Sequence, residues 1–205
     1  MGIPLHVLIV EDSEIDARLL ILELKHGGFE PLHERVENAD ALRAALRNTS
    51  WDIVLCDYSL PDLTGLEALS ILKETGSDIP FIIISGAIGE EVAVEAMKAG
   101  AHDYIMKDRR QRLLPAVERE LREAAMRREH RQVEAALRES EAKYAAIIDA
   151  SPVPMAVNDE HANITFVNRK FVQAFGYTLE DIPTVAAWWP RAYPDPAYRQ
   201  RIVQE

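Results

Sequence analysis

The stretch Asp52–Gly65, DIVLCDYSLPDLTG, begins as an apolar strand and ends as a turn, with one acid, Asp57, at the joint. A carboxylate at the end of a buried strand is costly unless something compensates it. The groups that meet Asp57 therefore have to come from elsewhere in the chain. Pro61 and Gly65 shape a turn that exposes the acid.

Outward from that stretch, residues 1–113 alternate short β-branched runs with amphipathic ones. The runs are LHVLIV (5–10), PLHERV (31–36), DIVLC (52–56), PFIIIS (80–85) and HDYIM (102–106). Each gap is long enough for a helix. In EIDARLLILELKHGG, Ile15, Leu19 and Leu22 recur at helical spacing, and Gly27-Gly28 stops the pattern. Near-continuous apolar strands joined by helical crossovers predict a parallel sheet covered on both faces. The expected fold class is α/β, a five-stranded doubly wound sheet.

In such a sheet ligands bind beyond the carboxyl ends of the strands. Those positions hold Glu11 and Asp12 after strand 1, Asp57 after strand 3, Ser85 at the end of strand 4 and Lys107 after strand 5. Three converging acids cannot all stay ionised without a cation. A hard divalent ion with oxygen ligands, Mg²⁺ above all, resolves their repulsion, and Lys107 adds a fixed positive charge. Two other doubly wound classes fit less well. A flavin site needs a Ser/Thr/Gly-rich phosphate cradle where this chain has EDSEID, and a hydrolase with an Asp nucleophile needs a second Asp where Ser59 stands.

Glu11, Asp12, Asp57, Ser85 and Lys107, in that order on successive strand ends, resemble the receiver domain of two-component response regulators. The resemblance implies that Asp57 accepts a phosphoryl group from a histidine kinase or a phosphotransfer protein. It implies that Asp12, Asp57 and the carbonyl of Ser59 hold Mg²⁺, with Glu11 acting through a water or at the edge of that shell. Lys107 would contact the phosphoryl oxygens, Ser85 would bond them after transfer, and Tyr104 would change rotamer with Ser85. The chain departs from the usual pattern where Asp108, in place of proline, follows Lys107.

From Leu114 a Gly-free stretch carries Glu118/Arg122, Glu123/Arg127, Glu134/Arg138 and Glu139/Lys143 at i,i+4, with Pro115 where a first helical turn tolerates it. A long helix follows. Leu114, Val117, Leu121 and Ala124 lie on a heptad seam, as do Val133, Leu137, Tyr144 and Ile147, with the phase broken at RREHR (127–131). The stretch over 114–149 reads as a parallel, homodimeric coiled coil or as a solvated connector helix, and the dimer is expected.

Beyond it, SPVPMAVNDEHANITFVNRKFVQAFGYTLEDI (151–182) resembles the first half of a PAS domain. Strands are expected near Met155–Asn158 and Ile164–Val167, then short helices, one opened by Thr178 and Asp181. Phe166, Phe171, Phe175 and Trp188 are explained as core as well as by a cofactor pocket, so no PAS ligand is assigned. Two strands make a poor sheet alone, and such a half-module is expected to be marginal or completed by another chain. The partition is thus receiver 1–113, signalling helix 114–149 and truncated PAS 150–205.

Composition limits the partners. With 34 acidic and 23 basic residues the net charge is −11, which repels nucleic acid and anionic membrane, and no basic cluster stands free of Glu. The single cysteine, Cys56, excludes a disulfide framework. No apolar run is long enough for a bilayer and no signal-peptide pattern opens the chain, so a cytoplasmic location is expected. The alternatives are a receiver used as a constitutive docking or dimerisation module, and the regulatory part of a larger histidine kinase or cyclic-nucleotide synthase with its catalytic part beyond Glu205. No output enzyme is expected within residues 1–205.

Overall fold

The computed structural model describes residues 2–86 and 90–197. The last eight residues of the third segment, 198–205, lie outside the described residues. The chain forms two compact units, one up to His130 and one from Arg131 on.

The first unit holds strands β1 (Ile3–Val10), β2 (Phe29–Val36), β3 (Ile53–Asp57), β4 (Phe81–Ser85) and β5 (Asp103–Met106). Between them run helices α1 (Glu14–His26), α2 (Ala39–Asn48), α3 (Gly65–Glu74) and α4 (Glu90–Lys98). The strands pair in parallel in the order β2-β1-β3-β4-β5, which puts β3 at the centre. The twofold period of the strands divides the core in two. Leu8, Val10, Val54, Cys56, Phe81 and Ile83 face α2, α3 and α4, while Val7, Ile9, Ile53, Leu55, Ile82 and Ile84 face α1 and the start of α5. Burial on both faces explains why these strands read as unbroken apolar runs.

Helix α1 lies where the spacing predicts it, but on a different face. Ala17, Leu20, Ile21 and Leu24 are buried, whereas Ile15 is 73% and Leu22 50% exposed. The segment is apolar around most of its circumference, so periodicity does not rank its faces. The rotation follows the entry of the chain, where the Ser13 side chain caps the helix by accepting from the Asp16 amide at 3.2 Å.

Beyond β5, residues Lys107–Arg112 form a 3₁₀ segment interrupted at Arg109 (φ −115°, ψ 40°). It leads into α5 (Leu113–Ala150). Leu113, Ala116 and Val117 are buried in the sheet core, with Leu114 and Leu121 packed against it, and Ala124 is buried as well. The first half of the heptad seam is therefore the face α5 turns to its own sheet.

In the second unit Val133, Leu137, Tyr144 and Ile147 are exposed, each by more than half. Strands β6 (Ala156–Asn158) and β7 (Ile164–Val167) pair antiparallel with a bulge at Val157/Asn158. Helix α6 (Arg169–Phe175) begins at Asn168, a fully buried amide with all its capacity used. Its Nδ2 donates to the carbonyls of Ile148 (3.0 Å) and Val153 (2.9 Å), and its Oδ1 accepts from the amides of Met155 and Phe171, both at 2.9 Å. Ile164, Phe171 and Ile182 form a small core, flanked by Trp188 of α7 (Val185–Ala192). Thr178 and Asp181 do bond each other, the Asp181 carboxylate accepting from the Thr178 amide and hydroxyl at 2.8 Å. They close a turn instead of opening a helix, because α7 begins only after Thr184, whose side chain caps it.

Candidate functional site

The site forms where β1, β3 and β5 end. Asp57 closes the central strand and is 8% exposed, and Glu11, just past β1, is 1% exposed. The chain turns sharply after Asp57. The Tyr58 amide donates to the Ile84 carbonyl, Ser59 bridges to Thr64, and the Gly65 amide returns to the Tyr58 carbonyl at 2.8 Å. A Cβ at Gly65 would stand 3.1 Å from Tyr58 Cα and 3.3 Å from the Asp57 carbonyl oxygen, so the turn closes this tightly only on glycine. A capping box between Thr64 and Glu67 then starts α3.

Carboxylate oxygens of Glu11, Asp12 and Asp57 all lie within 4.8 Å of one another. Opposite them, Lys107 Nζ donates to Asp57 Oδ2 at 2.8 Å, to Glu11 Oε2 at 3.0 Å and to Asp16 Oδ2 at 2.7 Å. Burial alone would lower the basicity of Lys107, but its bonds to Asp16, Asp57 and Glu11 outweigh it and hold the ammonium well above the ordinary lysine range. Glu11 is pushed up, chiefly by burial, against the pull of Lys107 and the Ser13 amide. The loop carrying Glu11 and Asp12 is tied down by Arg35, whose Nη1 donates to the carbonyls of Glu11 (2.9 Å) and Asp12 (3.1 Å).

Ser59 lies beside Asp57 and Ser85 at the end of the neighbouring strand, while Tyr104 lies in the core. The Ser59 amide donates to Asp57 Oδ1 at 3.3 Å. Ser85, 1% exposed, ends β4 one residue beyond Ile84, the cross-strand partner of Asp57. Tyr104 pairs with Ile83 and is buried in the core on the α4 side. Asp16 is the contributor that sequence reasoning missed. In the first turn of a helix an acid reads as a partner for the helix dipole, and nothing in its spacing to Lys107 marks the contact.

The converging oxygens belong to Glu11, Asp12 and Asp57, while Asp16 stands outside that group, bonded to Lys107 and 3.4 Å from Arg110 Nη2 through Oδ1. An all-oxygen set of three acids fits a hard divalent cation such as Mg²⁺.

This fold and strand-end cluster define the receiver class. The response regulator receiver domain matches residues 7–118, more than half of the chain, and a PAS domain matches residues 142–205. The chain belongs to the response regulator receiver family and carries a PAS region after its receiver. The uncharacterized transcriptional regulatory protein YkoG of Bacillus subtilis (strain 168) is 38% identical over 104 residues, covering 50% of this chain and 44% of that protein. The transcriptional regulatory protein FixJ of Rhizobium meliloti (strain 1021) is 37% identical over 102 residues, covering 49% and 48%. The chain thus spans less than half the length of these curated relatives. Among solved structures, FixJ-N superposes with a TM-score of 0.51 at 33% identity, covering 58% of this chain and 94% of that one. Full-length FixJ from B. japonicum gives 0.54 at 28% identity, covering 71% and 70%.

Proposed function

We propose that this protein is a phosphorylation-controlled receiver that takes a phosphoryl group onto Asp57 from a histidine kinase or phosphotransfer protein and passes the signal along α5 to its PAS region. The observation that carries this reading is the Lys107 ammonium 2.8 Å from Asp57, beside the Glu11, Asp12 and Asp57 oxygens. Phosphoryl transfer runs through a loose transition state with dispersed negative charge, so the protein's part is positioning and charge neutralisation. An Asp57 oxygen forms the new O–P bond while the N–P bond of the donor phosphohistidine breaks. The electron pair leaves on the imidazole nitrogen, which takes up a proton. Asp12 and Asp57, with the Ser59 carbonyl and Glu11 at the edge, would hold Mg²⁺, which supplies further positive charge. Lys107 holds the phosphoryl oxygens, the Ser85 hydroxyl donates to them after transfer, and Tyr104, buried in the core, changes rotamer with Ser85.

The proposed partition is a receiver over 1–113, a signalling helix over 114–149 and a PAS region over 150–205, with the first turns of the helix doubling as the receiver's last helix. The proposed output is a change in the dimer formed by the later part of α5. No helix among the described residues is long and apolar enough to cross a membrane, which accords with work in the cytoplasm. With acetyl phosphate and Mg²⁺, the intact protein is expected to gain one phosphoryl mass that Asp57→Asn does not gain. Equal labelling of that variant would remove the proposal.

A further inference from the structure

We infer that Asp16 is a positioning residue for Lys107: it keeps one of the ammonium's three donors bound throughout phosphoryl transfer, leaving the other two to turn from carboxylates to the phosphoryl group. The inference rests on the reading of Asp57 as the phosphoacceptor. An ammonium has three N–H donors, and in this structure each has its own carboxylate, Glu11, Asp16 and Asp57. Lys107 therefore has no donor free for an incoming phosphoryl oxygen, and at least one of these bonds must be given up.

The three acids differ in what happens to them. Glu11 and Asp57 belong to the cluster whose oxygens converge tightly enough for a shared cation, and Asp16 does not. Asp57 also loses its charge at the bonded oxygen when the O–P bond forms. Both acids thus weaken as acceptors for Lys107 as the reaction proceeds. Asp16 keeps its charge, and it stands on α1, anchored at the Ser13 cap, apart from the strand-end loops that carry the rest. Of the three bonds, its 2.7 Å contact is the shortest.

The backbone around Lys107 gives this tether work to do. A proline ring would fix one backbone torsion directly after the lysine, but Asp108 stands there, and Arg109 two residues on leaves helical geometry. The chain carrying Lys107 is instead bridged to α1 from both sides of that irregularity, because Asp16 Oδ2 holds Lys107 while Oδ1 faces Arg110. Without Asp16, an ammonium released by Glu11 and Asp57 has a long flexible stem and several rotamers to search. The expected loss falls on the transfer step, since only there is the ammonium needed at one place.

The test follows phosphorylation of the full chain by saturating acetyl phosphate and Mg²⁺ with intact-mass detection. Asp16→Ala is expected to slow the maximal rate about tenfold and Asp16→Asn, which keeps an oxygen acceptor, to recover part of it, with Mg²⁺ affinity within about twofold of the parent for both. In ¹⁵N-lysine-labelled protein with Mg²⁺ and beryllofluoride, the Lys107 ammonium signal is expected to be protected in the parent and lost to exchange in Asp16→Ala. Arg110→Ala removes the bridge but not the tether, and is expected to retain most of the rate. If Asp16→Ala reacts at the parent rate while Asp57→Asn stays unlabelled, the inference about Asp16 is wrong and the phosphoacceptor reading stands. If Arg110→Ala is as slow as Asp16→Ala, the contact is only a brace between α1 and the turn, which also overturns it. Labelling of Asp57→Asn would instead overturn the underlying reading.

Discussion

At Asp12 the repulsion and the proposed metal site meet in one side chain. Its carboxylate is exposed, unlike those of Glu11 and Asp57, and it has no bond to Lys107 among those the structure shows. Of the three, it is therefore the acid whose charge a cation most directly offsets. Binding to the folded state alone stabilises by RT ln(1 + [L]/Kd), about 1.4 kcal/mol at ten times Kd. Thermal melts with and without Mg²⁺ are expected to show an upward shift in the parent. In Asp12→Ala the metal-free protein should melt slightly higher, through relief of like-charge repulsion, and the Mg²⁺ increment should vanish. A variant that kept the full increment would place the metal elsewhere. The strand-end acids and Lys107 could be read from sequence because each follows directly on an apolar run. Asp16 could not, since its meeting with Lys107 is fixed by how α1 is rotated against the sheet.

At the level of elements, the opposite pole of the sheet shows how α5 is held. His102, just before β5, accepts the Phe81 amide at Nδ1 (3.1 Å), and its Nε2 lies 3.4 Å from Arg127 Nη2 of α5. Arg127 in turn bonds Asp78 at 3.1 Å, and Arg119 joins Asp103 and Glu120, each at 2.8 Å. Burial holds the His102 imidazole below its ordinary value, with Arg127 acting the same way and Glu120, Asp78 and Glu123 acting against it. An Nδ1 that accepts an amide cannot also carry a proton, so protonation breaks the Phe81 bond and sets two cations side by side. The folded state binds this proton less readily than the unfolded chain. Stability of the first unit is therefore expected to be full above the unfolded value of about 6.5 and to fall as pH drops through that value toward the folded one. Urea melts of the parent and His102→Gln across that range check it, and an equal slope in both would assign the effect to another group. The elements themselves were legible where burial on both faces leaves a continuous apolar run, as in β3 and β4. The inward face of α1 was not, because Ile15 and Leu22 are as apolar as the Leu20 and Ile21 that pack. The seam of α5 was legible only as a pattern, since leucine and valine at heptad spacing look alike whether they meet a sheet or another helix.

For the whole molecule, the two halves of that seam have different standing. Leu114, Val117, Leu121 and Ala124 are committed to the receiver, so any partner helix is left with Val133, Leu137, Tyr144 and Ile147. Leu137→Glu is expected to weaken self-association in sedimentation experiments by tenfold or more, since it sets a charge on the seam of each copy. A parent that stays monomeric at high concentration would reduce the helix to a tether. Cys56 carries a separate consequence. It is the chain's sole thiol, wholly buried on the central strand next to Asp57, and burial first, then Asp57 and Glu11, push its ionisation far from the physiological range. Alkylating reagents can reach it only when the sheet itself parts, so the pace of thiol modification counts openings of β3 against its neighbours. The residue adjoining the proposed phosphoacceptor thus serves as an internal clock, one that should slow whenever occupancy of the site tightens the sheet.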